Sequence, residues 1–143
     1  MPISDQEALE AAAQARLVAV VGMTDGSKPG RASYEIPRML QERGVELIPV
    51  NPKIDQALGR PALKSLSELK ARPDIVDVFR RSEAIPELAD ELLALPAGIR
   101  PGVVWLQSGI THPQAEAALE KAGYRVVSDR CLGVYAARAR ARD

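Results

Sequence analysis

Between an apolar run and the start of a helical pattern lies Gly22-Met23-Thr24-Asp25-Gly26-Ser27-Lys28-Pro29-Gly30. The backbone N–H groups of such a loop, backed by a helix N-terminus, can receive a pyrophosphate. Glycine lets the main chain approach the anion, Thr24 and Ser27 offer hydroxyls, and Lys28 or Arg31 offers charge. The glycines fall at 22, 26 and 30, a spacing that is neither the dinucleotide fingerprint nor a Walker A motif. An ordinary connecting loop would use the same turn residues, but the position after a first strand favours a ligand. If phosphate nears the main chain at Gly22, Gly22→Val is expected to abolish binding and leave the fold mostly intact.

Three further groups could line the same ligand. A second apolar run ends at Val50, followed by Asn51-Pro52-Lys53. Enzymes that use NAD usually place an acidic residue there to accept from the ribose. A neutral residue followed by a cation instead tolerates a phosphate on the ribose, as in NADP or coenzyme A. Arg80 and Arg81 directly follow the run Ile75-Val76-Asp77-Val78-Phe79, so at least one should project over a crevice at the strand's end. Phe79 and Trp105 read more readily as core than as stacking platforms, whereas Gln107 and Gly109, past a fourth run, are crevice candidates.

Catalytic chemistry is harder to find. His112, the sole histidine, sits inside a helix-start signal and reads as structural. Cys131, the sole cysteine, reads as a small buried hydrophobe. The competing reading is a thiol that Arg130 makes reactive toward the thiol end of a ligand. Asp25, Asp77 and Asp129 are separated carboxylates without an evident acid–base pairing. One His and one Cys cannot supply a metal quartet of the usual N/S type. Site residues are therefore expected to bind, and no catalytic residue or metal ligand is assigned.

These residues need elements to position them. Ser4-Asp5-Gln6-Glu7 has capping-box spacing, and an Ala-rich helix should run to about Arg16. Leu17-Val18-Ala19-Val20-Val21 is short and continuously apolar, as a strand buried on both faces must be. A helix from about Ser33 to Arg43 follows, closed by Gly44, with Pro37 expected near its first turn. Val45 to Val50 and Ile75 to Phe79 form the next strands, separated by a looser segment with one short helix around Ser67 to Ala71. Ile85 to Leu95 is helical in pattern, Val103 to Leu106 is a strand, and Thr111-His112-Pro113-Gln114 supplies another capping box. The fifth strand is Tyr124 to Ser128.

Strands alternating with helices predict an α/β fold: a Rossmann-like, doubly wound, five-stranded parallel sheet in a single domain. The expected organisation is an N-terminal helix over 1–16, a core over 17–132 and a basic tail over 133–143. The expected strand order is 3-2-1-4-5, with any ligand across the carboxyl ends of the strands beside the switch point.

Composition narrows the partners. The 143 residues suit one domain. Apolar residues make up 46% but aromatics only 3%, so the core must be aliphatic. Nineteen basic residues offset nineteen acidic ones, and no global field favours nucleic acid or an anionic membrane. Without a signal-like start or a membrane-spanning apolar stretch, the chain reads as cytoplasmic.

The chain resembles the small stand-alone CoA-binding proteins, which are similar to the CoA-binding domain of the succinyl-CoA synthetase alpha subunit. The resemblance runs through Val20-Val21-Gly22, Val50-Asn51-Pro52, Val78-Phe79-Arg80-Arg81, Trp105-Leu106-Gln107 with Gly109, and Asp129-Arg130-Cys131-Leu132. It implies that the loop from Gly22 to Lys28 receives the phosphates and that Asn51 to Lys53 lies near the adenosine. Phe79-Arg80 and Gln107-Gly109 would line the rest of the crevice. Ser108 stands where members of that family often carry an apolar residue. The implied function is to bind coenzyme A or an acyl-CoA as a non-catalytic carrier, sensor or regulatory module. The alternatives are an NADP-binding enzyme or enzyme subunit, and a CoA-binding subunit of an acyl-CoA ligase that needs a partner chain. A homodimer is also compatible with the Ala-rich first helix.

Overall fold

The computed structural model describes residues 3–141, with side chains through residue 139. Helix α1 (Asp5–Gln14) begins at a complete capping box. The Glu7 amide donates to Ser4 Oγ, and the Ser4 amide donates to Glu7 Oε1, both at 3.1 Å. Strand β1 (Leu17–Val21) leads through the glycine loop to helix α2 (Ala32–Glu42) and strand β2 (Glu46–Val50). Pro37 lies inside α2, past the first turn where a missing N–H is free of cost.

The segment after β2 is more structured than its sequence suggests. Strands β3 (Gln56–Ala57) and β4 (Arg60–Pro61) pair antiparallel around Leu58-Gly59. Both turn residues have positive φ, 50° and 77°, the hairpin geometry whose twist matches its strands. The short helix is a 3-10 turn at Leu66–Glu68, overlapping the start of the expected span. Strand β5 (Ile75–Val78), helix α3 (Ile85–Ala94), strand β6 (Val103–Leu106), helix α4 (Pro113–Lys121) and strand β7 (Arg125–Val127) follow. Residues expected to form a basic tail instead build helix α5 (Leu132–Ala141); Arg142 and Asp143 lie outside the described residues.

All five sheet strands are parallel, in the order β2-β1-β5-β6-β7. Counting only those five, the order is 2-1-3-4-5 rather than the expected 3-2-1-4-5. The outer edge of β2 explains the difference. Pro49 has no N–H to offer a further strand, and its carbonyl accepts the Leu63 amide at 2.9 Å. Leu63 in turn accepts from Asn51 and bridges Val50. With that edge closed, the chain returns across the sheet and β5 pairs with β1.

Right-handed crossovers in opposite directions place connections on opposite faces. One face packs Leu66, Leu88, Leu92 and Leu119 from the 3-10 turn, α3 and α4 over Val76, Val104 and Val126. The other packs Ala8, Leu9, Leu40, Leu132 and Tyr135 from α1, α2 and α5 over Val18, Val20, Ile75 and Trp105. Trp105 is fully buried, and its ring Nε1 donates to the Arg130 carbonyl at 2.8 Å.

Candidate functional site

At the carboxyl ends of β1 and β5 the chain departs in opposite directions, which opens a crevice at the switch point. It has a volume of about 720 Å³. Arg31, Ala32 and Ser33 at the start of α2 form one wall, and Phe79, Arg80 and Arg81 past β5 form another. Ser82, Glu83, Gly109 and Ile110 complete it. Three arginines against one glutamate give this mouth a positive bias that the neutral chain as a whole lacks. Arg31 is the N-cap of α2 and supplies no side-chain acceptor. The Tyr34 and Glu35 amides donate to the Arg31 carbonyl, which leaves those of Ala32 and Ser33 available to an anion.

The glycine loop is held rigidly beside this crevice. Gly22 donates to the Val50 carbonyl at 2.8 Å and has φ +83°, where a Cβ would stand 2.3 Å from the Phe79 carbonyl oxygen. Gly22 is thus required by the approach of one backbone to another, whereas the sequence reading gave that space to phosphate. Gly26, at φ +86°, lies against the Tyr34 ring, 2.8 Å from where its Cβ would be. The Met23 side chain is buried in the core. Thr24 bonds Ser33 twice, amide to carbonyl at 3.2 Å and hydroxyl to hydroxyl at 3.0 Å. Asp25 Oδ1 accepts the Ser27 amide at 3.0 Å, a bond that lowers the Asp25 carboxyl below its ordinary range.

Other expected site residues divide into braces and free groups. Asn51 donates from Nδ2 to the Met23 carbonyl and accepts the Lys53 amide at Oδ1, both at 2.9 Å. Val50 is core, while Pro52, Lys28 and Lys53 are exposed on turns outside the crevice lining. Phe79, Arg80, Arg81 and Gly109 are in its lining. Gln107 is buried, and its Nε2 donates to Asp77 Oδ1 at 2.6 Å. Burial pushes the Asp77 carboxyl up to about 7.

Sequence reasoning missed several contributors. Ser33, Ser82, Glu83 and Ile110 reach the crevice because helix starts and turns converge there, and no motif marks them. Asp129 adopts φ 55° and accepts the Gly109 amide at 2.6 Å, so it shapes the turn beside the crevice. An aspartate is among the few non-glycine residues that tolerate that region. His112 caps α4 by accepting the Ala115 amide at Nδ1 (3.2 Å), and its own amide donates to Glu116 (2.8 Å). The cap therefore uses His112 and Glu116, where Thr111 and Gln114 were expected.

Comparison with known proteins adds the family. Residues 16–137 match the family described as CoA binding domain. The chain is similar to the uncharacterized protein YneT of Bacillus subtilis (strain 168), 40% identical over 131 residues, 92% of this chain and 93% of that protein. A Thermus thermophilus structure (cell-free ID.343) superposes with a TM-score of 0.86 at 43% identity, over 96% of this chain and 99% of the other. A hypothetical protein from Pyrococcus horikoshii OT3 gives 0.85 at 25% identity, over 97% and 96%.

Proposed function

Since the chain belongs to the CoA binding domain family, we propose that it binds coenzyme A or an acyl-CoA in the crevice at the carboxyl ends of β1 and β5. In this reading it acts as a non-catalytic carrier, sensor or regulatory module. The observation that carries the proposal is the convergence of Arg31, Arg80 and Arg81 with the uncapped start of α2 on one open cleft. Guanidinium groups and helix amides are the complement that phosphates require.

Asn51 supports CoA over a nicotinamide dinucleotide. It stands where such enzymes place an acidic ribose acceptor, yet both ends of its side chain are committed to backbone groups. The non-catalytic reading is supported by His112, whose Nδ1 is spent on a helix cap. Titration calorimetry with CoA, NADPH and ATP in parallel tests the proposal. CoA should bind with the highest affinity, and preference for NADPH would replace this reading with the dinucleotide one.

A further inference from the structure

Asp77 is fully buried at the middle of the sheet, in register with Val20 and Trp105 of the α1–α2–α5 core layer. A carboxyl group in such a layer is costly unless its oxygens are hydrogen-bonded. Oδ1 accepts from Gln107 Nε2 at 2.6 Å, while Oδ2 has no hydrogen-bond partner among the described residues. Among the described residues, the one side chain to which Asp77 is hydrogen-bonded is therefore Gln107. That residue opens the turn whose Gly109 and Ile110 line the crevice, and its amide donates to Val78 next to Phe79.

Asp77 Oδ1 is the acceptor in this bond, a role it keeps even when Oδ2 carries a proton, because a protonated carboxyl retains an acceptor oxygen. Beside it, a carboxamide must turn its nitrogen inward, which directs its oxygen elsewhere as an acceptor. We propose that Asp77 is a positioning residue that sets the polarity of the Gln107 carboxamide, so that Gln107 Oε1 receives an amide N–H of the ligand. This rests on the reading that the crevice takes CoA, whose pantetheine arm carries two amides. Asp77 itself does not touch the ligand, and its buried, half-satisfied carboxyl is retained for what it does to its neighbour.

A double-mutant cycle read by calorimetry with CoA tests this. Asp77→Leu and Gln107→Leu should each weaken binding about tenfold, the scale of one lost hydrogen bond. The double variant should bind no more weakly than Gln107→Leu alone. Wild-type affinity in Asp77→Leu, or losses that multiply in the double variant, would overturn the proposal. If Asp77→Leu does not fold, Asp77→Asn serves, since an amide can pair with Gln107 in either sense. Its loss, roughly threefold, should vanish in the Gln107→Leu background, and persistence there overturns the idea.

A readout without ligand separates this proposal from the functional one. In the unliganded protein, the Gln107 side-chain N–H resonances should exchange slowly with solvent, and quickly in Asp77→Asn or Asp77→Leu. Absence of CoA binding by the wild type refutes the functional reading. Exchange that the substitutions leave unchanged refutes the positioning role.

Discussion

The Thr24 amide donates to the Ser33 carbonyl at 3.2 Å, a carbonyl that α2 leaves without its usual donor because Pro37 stands four residues on. Proline normally weakens a helix interior by removing that bond. Here the vacated acceptor ties the glycine loop to the helix behind it, and the Thr24–Ser33 hydroxyl pair at 3.0 Å adds a second tie. The residue that looks like a defect in α2 fastens the wall of the crevice.

Restoring the helical donor should loosen that fastening. In Pro37→Ala the new N–H competes for Ser33, and hydrogen exchange at the Thr24 amide should accelerate by about tenfold while global stability changes by less than about 1 kcal/mol. Unchanged exchange at Thr24 would show that the hydroxyl pair holds the loop alone.

Gly22 is a site where fold and binding cannot be separated by substitution. With a Cβ 2.3 Å from the Phe79 oxygen and φ at +83°, Gly22→Val should lose on the order of 3 kcal/mol or more. Chemical denaturation measures this directly. A variant as stable as the wild type would mean that the β1–β5 spacing relaxes at little cost.

Charge at the crevice should be unevenly distributed in its effect. Arg80→Ala, which strips a lining guanidinium, should weaken CoA binding by about 1–3 kcal/mol. Lys53, outside the lining, should matter less, and chiefly if it meets the ribose phosphate. Comparing CoA with dephospho-CoA tests that point: equal wild-type affinities for the two would exclude the role for Lys53.

Asp77 should make stability fall as pH rises. Its folded-state carboxyl titrates near 7, above the ordinary carboxylate value, so the native protein keeps a proton that the unfolded chain releases. The contribution is full below about pH 4 and is lost as pH climbs through about 7, with an upper bound of about 4 kcal/mol. Glu7 and Asp25, lowered by donors from Ser4 and Ser27, act oppositely and only at acidic pH. Denaturation midpoints across this range should slope downward in the wild type and flatten in Asp77→Asn. Parallel profiles for the two proteins would refute the assignment.

Local signals in the sequence located most elements because they depend on neighbours a few residues apart. The Ser4–Glu7 box, the aliphatic strand runs and the arginines past β5 are of that kind. The strand order was not legible, since it turns on Pro49 and Leu63, fourteen positions apart, closing one sheet edge. The same limit applies to the site. Phe79, Arg80, Arg81 and Gly109 follow strand ends and could be placed there, whereas the braces from Asn51 to Met23 and from Gln107 to Asp77 join residues 28 and 30 positions apart and are marked by no motif. Helix α5 was missed because its arginines mask an apolar side that only α1 and α2 reveal.

The pairing of α1 with α5 has a consequence for how the chain reaches its native state. Tyr135 donates to Asp5, and Arg138 and Arg130 reach the same carboxylate at 3.7 Å. These contacts join residues some 130 positions apart, so α1 must wait for an element that is synthesised much later. Until residues 132–141 emerge, Trp105 and Leu9 lack their cover from Leu132 and Tyr135. Translation pauses just before residues 132–141 should therefore prolong an aggregation-prone interval that chaperones must bridge.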